Sequence, residues 1–184
     1  MGLRTALVAL IMTTASLPGL ASEPPWRATL EKQLPLLGHR NWIVIADSAY
    51  PWQTSAGIET IDTGADHLEV VQTVLDVVSK ARHVRPILYT DAELPFVPEE
   101  SAKGVTAYRE SLARLLGPRR AQSLPHEEII AKLDEAGRAF HVLLLKTNLA
   151  LPYTSVFVQL DCGYWSAEAE RALRDAMRAA GHTK

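Results

Sequence analysis

Gly38-His39 stands eight positions before Asp47, and between them runs the almost unbroken apolar segment Trp42-Ile43-Val44-Ile45-Ala46. An imidazole and a carboxylate flanking a buried strand supply a general acid or base and a hydrogen-bond acceptor, the groups needed to move a proton between oxygens near neutral pH. Each also has a plain structural explanation. His39 falls just past a helix end, where the last carbonyls attract it, and Asp47 is a common turn former. Other polar residues border further apolar segments: Asp91 and Glu93 follow residues 84–90, His126 opens Pro125-His126-Glu127-Glu128, and Tyr153 and Ser155 precede Val156-Phe157-Val158. Strand ends are where an open α/β sheet places its ligands. Asp91 and Glu93 are equally readable as an idle exposed pair, and His126 as a solvent-facing residue in a first helical turn.

Several chemistries are excluded by what is missing. The sequence has no Gly-rich phosphate loop, no serine nucleophile elbow and no His-Glu-x-x-His. None of the six histidines, His39, His67, His83, His126, His141 and His182, is four residues from another, so a local helical metal pair is absent and no metal or organic cofactor is expected. The single cysteine, Cys162, cannot form an intrachain disulfide. Burial at the end of an apolar strand is its expected environment.

The elements that must position these residues alternate along the chain. Helices are expected over residues 26–34, 66–82 (with Asp66 and Glu69 placed as a capping box), 104–116, 125–136 and 166–180. Strands are expected over 42–46, 84–90, 140–146 and 155–160. The last two are joined by a segment too short for a crossover helix, so they either pair antiparallel or lie apart in the sheet. The proline-containing stretch 93–100 reads as a loop over the sheet. The fold class is α/β, a single three-layer domain with a mixed, mostly parallel sheet and helices on both faces. The last helix, mostly small and charged, is expected to cap the domain edge.

Residues 1–21 have a secretory layout: Arg4 near the start, an apolar run that weakens toward Leu20, and small residues near Ala21. The run falls short of the roughly 20 apolar residues of a spanning helix. The expected organisation is a signal peptide at 1–21, a domain at 22–165 and a helical extension at 166–184, with the mature chain periplasmic or secreted and free of the membrane. With 184 residues, 47% of them hydrophobic and 22% charged, the chain has globular composition. A net charge of −2 with scattered Lys and Arg gives no field for nucleic acid.

The stretch from Leu37 to Pro51, Leu-Gly-His-Arg-Asn-Trp-Ile-Val-Ile-Ala-Asp-Ser-Ala-Tyr-Pro, resembles the opening signature of the D-ribose pyranase and L-fucose mutarotase family. That signature is a Gly-His pair, a hydrophobic strand, then Asp with small residues and a Pro. Near the other end, Pro152-Tyr153-Thr154-Ser155 looks like the family's Tyr-small-Asn ahead of an apolar strand, with Ser155 where the family has Asn. The resemblance spans roughly residues 26–163. It implies an α/β domain that assembles into rings or larger homo-oligomers and binds a small-molecule sugar near subunit boundaries. It makes the residue at His39 the proton donor and those at Asp47 and Tyr153 sugar contacts. His126 matches a sugar-contacting His, although the segment from His126 to Tyr153 is longer here. An amide reaches further than a hydroxyl and both donates and accepts, so Ser155 alters substrate choice, and Asn148 in the loop is a candidate replacement.

Interconversion of sugar ring forms needs one proton removed and another delivered, which an imidazole does without a redox or metal centre. Eight steps of largely extended chain at ~3.3 Å each put His39 and Asp47 roughly 20 Å or more apart. They cannot reach one sugar within one chain, so the expected site joins His39 of one copy to Asp47 of a neighbour. Two rival expectations remain: a sugar-binding or sensing domain of the same fold without turnover, which Ser155 favours, and an unrelated α/β interaction domain.

Overall fold

Strand β1, Trp42–Ala46, is buried at every position because it lies third in a six-stranded sheet covered on both faces. The computed structural model describes residues 24–182, so the expected signal peptide at 1–21 lies outside the described residues. The elements run α1 (Pro25–Gln33), β1, β2 (Ile58–Asp62), α2 (His67–Lys80), β3 (Val84–Asp91), α3 (Val105–Leu116), β4 (Ala121–Leu124), α4 (His126–Ala139), β5 (Val142–Lys146), β6 (Val156–Cys162) and α5 (Ala167–Ala179). Short 3₁₀ turns occupy Leu34–Leu36 and Leu94–Phe96.

The sheet order is β2-β5-β1-β6-β3-β4. β5 runs parallel to both β1 and β2, and β4 parallel to β3. β6 alone runs antiparallel to its neighbours β1 and β3. The mixed, mostly parallel sheet expected from the sequence is therefore present. Alternate residues of β1 serve two cores. Ile43 and Ile45 pack with α1, α2 and α3 on one face, while Trp42, Val44 and Ala46 pack with Ile129, Leu133 and Ala136 of α4 on the other.

The two late apolar strands lie apart: β5 and β6 flank β1 from opposite sides. The segment joining them crosses over the C-terminal end of β1, where Thr147 donates its N–H and its hydroxyl to Ala46 O at 2.9 Å each. The Ser48 N–H also donates to Leu149 O at 2.8 Å. Asn148 is used in holding this segment, its side-chain amide donating to Gly64 O at 2.6 Å.

Two strands had no clear signal in the sequence. β2 and β4 are the sheet edges, and neither is fully covered, so neither carries a continuous apolar run. The connection from β1 to β2 returns along the α4 face without a helix. It is pinned where the Ser55 hydroxyl donates to Gly137 O at 2.8 Å and where a Cβ on Gly57 would meet that same oxygen at 2.2 Å.

Two further expectations are corrected. Cys162 is half-buried rather than buried, because cover falls away after Leu160 as β6 leaves the core. Helix α5 caps nothing: none of its residues is buried. Its charges pair along its own surface instead, Arg174 with Glu170 at 2.6 Å and Arg171 with Glu168 at 2.9 Å, which suits a solvated helix.

Candidate functional site

Because β6 is reversed, its N-terminal end meets the C-terminal ends of the five other strands. Val156 lies opposite both Ile45 and Thr90, so one step further Ser155 falls between Ala46 and Asp91. Asp47 follows β1, Asp91 ends β3, His126 opens α4 after β4, and Tyr153 leads into β6. The sheet thus gathers Asp47, Asp91, His126, Tyr153 and Ser155 on one edge. His39 is not among them. It precedes β1 at the opposite edge, exposed, where the Arg40 N–H donates to Leu160 O at 3.0 Å. His39 and Asp47 therefore lie beyond opposite ends of β1.

His126 is the best-anchored residue of the edge. Its backbone N–H donates to both carboxylate oxygens of Glu93, at 3.0 and 3.1 Å, which satisfies a first-turn donor of α4 with negative charge where the helix dipole favours it. Its ring Nδ1 is 2.9 Å from Asp91 Oδ1. Its ring meets that of Tyr153 edge-on, with centroids 5.6 Å apart and planes at 84°. Its side chain is 31% exposed, so His126 is held at Nδ1 while part of the side chain stays open to solvent.

The Asp91 side chain is wholly buried, and its Oδ2 has no hydrogen-bond partner. Burial raises its pKa, the hydrogen bond and charge of His126 oppose that rise, and Glu93 and Asp47 add to it. Tyr50, packed in the α4-side core, is pushed up to about 12 by burial, with Asp134, Asp91 and Asp47 adding to the rise.

The Tyr153 corner is built from behind. Tyr153 has φ of 57°, a left-handed conformation that is strained for an aromatic residue and persists only where its surroundings impose it. The Tyr108 hydroxyl donates to Thr154 O at 2.8 Å, and the Thr154 hydroxyl donates to Leu151 O at 2.8 Å. Tyr108 in turn touches buried His67, whose pKa burial lowers to about 4. Beside the corner lies an open, apolar-walled hollow of about 480 Å³ lined by Ala92, Glu93, Phe96, Pro98, Pro152 and Tyr153, within the size range of small-molecule sites.

Both readings of Asp47 are visible together: Oδ1 accepts the Ala49 N–H at 2.8 Å as a turn former does, and the carboxylate faces the same edge as Asp91. In the sequence Asp91 and Glu93 border the site without assigned roles, and Tyr50, His67 and Tyr108 carry no functional signal. Only the apolar strand ending at Asp91 was a usable signal. Among the described residues, no group of three His, Cys, Asp or Glu is placed to hold a metal ion.

No protein-family model matches the sequence, and comparison with curated proteins finds no match either. Solved structures do match. RbsD from Bacillus subtilis, determined in complex with D-ribose, is 18% identical over 80% of this chain and 98% of its own, with a TM-score of 0.51. Fucose mutarotase from Streptococcus pneumoniae, in complex with L-fucose, is 18% identical over 77% of this chain and 98% of its own, with a TM-score of 0.49. FucU from Bifidobacterium longum is 18% identical over 73% and 94%, with a TM-score of 0.45. The chain has an RbsD-like α/β fold.

Proposed function

We propose that the chain is an exported monosaccharide isomerase that interconverts ring forms or anomers of a free sugar by acid–base catalysis. The observation that carries this reading is the convergence of Asp47, Asp91, His126, Tyr153 and Ser155 on one edge of a sheet with the RbsD-like fold. Fold alone does not define chemistry; the groups at that edge do. They offer a carboxylate and hydroxyls to hold sugar oxygens, and an imidazole to exchange protons with them.

In this reading the chain is a homo-oligomer, and His39 of a neighbouring copy completes the site. Its imidazolium gives a proton to the ring oxygen while a base at the Asp47 edge takes one from the anomeric hydroxyl. Tyr153 and Asp47 fix the face on which the ring closes again. Residues 1–21 direct the chain to the periplasm or outside the cell.

Saturation-transfer NMR of free D-ribose, L-fucose and other monosaccharides tests this directly. Wild-type protein is expected to speed exchange between ring forms or anomers, and His39→Ala and His126→Ala to lose that gain. A wild type that leaves every exchange rate at its solvent value defeats the isomerase reading. A second reading, a sugar-binding or sensing domain without turnover, is favoured by Ser155, which is 2% exposed and has a shorter reach than an amide. It expects bound-sugar signals without faster exchange.

A further inference from the structure

We propose that Asp91 is a positioning residue that makes His126 the proton acceptor of this site, by taking the Nδ1–H of its ring and leaving the Nε2 lone pair for the sugar's anomeric hydroxyl. The inference rests on the isomerase reading above and adds to it the identity of the base and the group that arms it.

Geometry carries the argument. A neutral imidazole has one N–H and one lone pair, so a carboxylate at one nitrogen decides which is which. Asp91 Oδ1 lies 2.9 Å from Nδ1, and the Asp91 side chain is wholly enclosed, so no water competes for that bond. The other contacts leave the imidazole little freedom. Glu93 holds the His126 backbone N–H with both oxygens, and Tyr153 stands edge-on to the ring.

Placing a carboxylate there is unfavourable for folding, since it leaves bulk water, gains one imidazole bond and keeps Oδ2 without a partner. Structural need does not explain that placement: α4 is already capped by Glu93. An enclosed anion at Nδ1 does explain it, because it also stabilises the imidazolium formed when Nε2 takes up a proton.

The step balances. The O1–H proton of the cyclic sugar passes to His126 Nε2, C1=O1 forms, and the C1–O5 bond breaks with its electron pair going to O5. O5 takes its proton from His39 of the neighbouring copy. Closure on the opposite face of the aldehyde, or by another hydroxyl, runs the two transfers in reverse and restores both histidines.

The test combines ¹⁵N ring correlation NMR, which assigns the His126 tautomer without any sugar, with the sugar-exchange measurement, on the full chain. Wild type is expected to show Nδ1–H with an unprotonated Nε2. Asp91→Ala is expected to lose that fixed tautomer and to slow exchange by about tenfold or more. Asp91→Asn keeps the shape and an oxygen acceptor should Asp91→Ala fail to fold. It is expected to slow exchange, because the charge is gone and the amide can turn its N–H toward Nδ1 and favour the other tautomer.

An Asp91→Asn protein that is folded and as fast as wild type overturns the proposal while leaving the isomerase reading intact. So does a wild-type ring protonated at Nε2. Absence of any wild-type acceleration is a different failure: it removes the isomerase reading, and the base role with it.

Discussion

His67 is 1% exposed, with its ring against Tyr108 and its pKa lowered to about 4 by burial. The folded state thus refuses a proton that the unfolded chain accepts below its ordinary value of 6.5. Between these limits the unfolded state binds more protons, so stability is intact above about pH 6.5 and falls as pH drops toward 4. The loss attributable to this residue is about 3 kcal/mol. Urea unfolding of wild type and His67→Gln across that range is expected to show a flatter acid slope for the variant. Tyr108→Phe removes the donor to Thr154 O and leaves a buried carbonyl unpaired, an expected cost of about 1–3 kcal/mol by chemical denaturation, with slower sugar exchange as the Tyr153 corner loosens. At this scale the sequence showed Asp47, His126, Tyr153 and Ser155, because each borders an apolar run or a helix start. It did not show the Asp91–His126 pair. The two lie 35 residues apart, and what brings them together is the parallel pairing of β3 with β4, an edge strand too polar to read.

Between β1 and β2 the chain gains its close fit to α4 from glycine. Gly57→Ala would drive a Cβ to 2.2 Å from Gly137 O and 2.6 Å from Phe140 O, both backbone atoms that cannot rotate away. The expected result is a loss of about 1–3 kcal/mol or more, read as a lower urea midpoint with an unchanged slope. Helix α5 gives the opposite expectation. With no buried residue, deletion of residues 167–184 should leave the melting temperature within about 2 °C of wild type, as for changes confined to the surface. The buried strands β1, β3, β5 and β6 were legible because burial on two faces writes a continuous apolar run, and α1 to α4 because burial on one face writes a helical period, while α5 was marked by Ser166 and Gly181 at its ends. The order of the strands was not, since nothing local records that β6 turns back between β1 and β3.

Taken whole, the molecule presents His39 at one edge of its sheet and its other candidate residues at the opposite edge. Co-expression of His39→Ala with His126→Ala chains tests what that separation means. Either variant alone is expected to be inactive. Random assembly of equal amounts should return about a quarter of the wild-type exchange rate, since that share of junctions joins an intact His39 to an intact His126 in a symmetric assembly. No recovery in verified mixed oligomers would place both histidines' work within one chain.

Strand β1, rigid and wholly enclosed, then does more than fill the core. In the proposed assembly it acts as a spacer that keeps each chain's two contributions from meeting, and a site built from two copies would tie them together whenever sugar is bound. Occupancy and association become thermodynamically linked: sugar should tighten the assembly, and dilution should lower turnover per chain before it unfolds any of them.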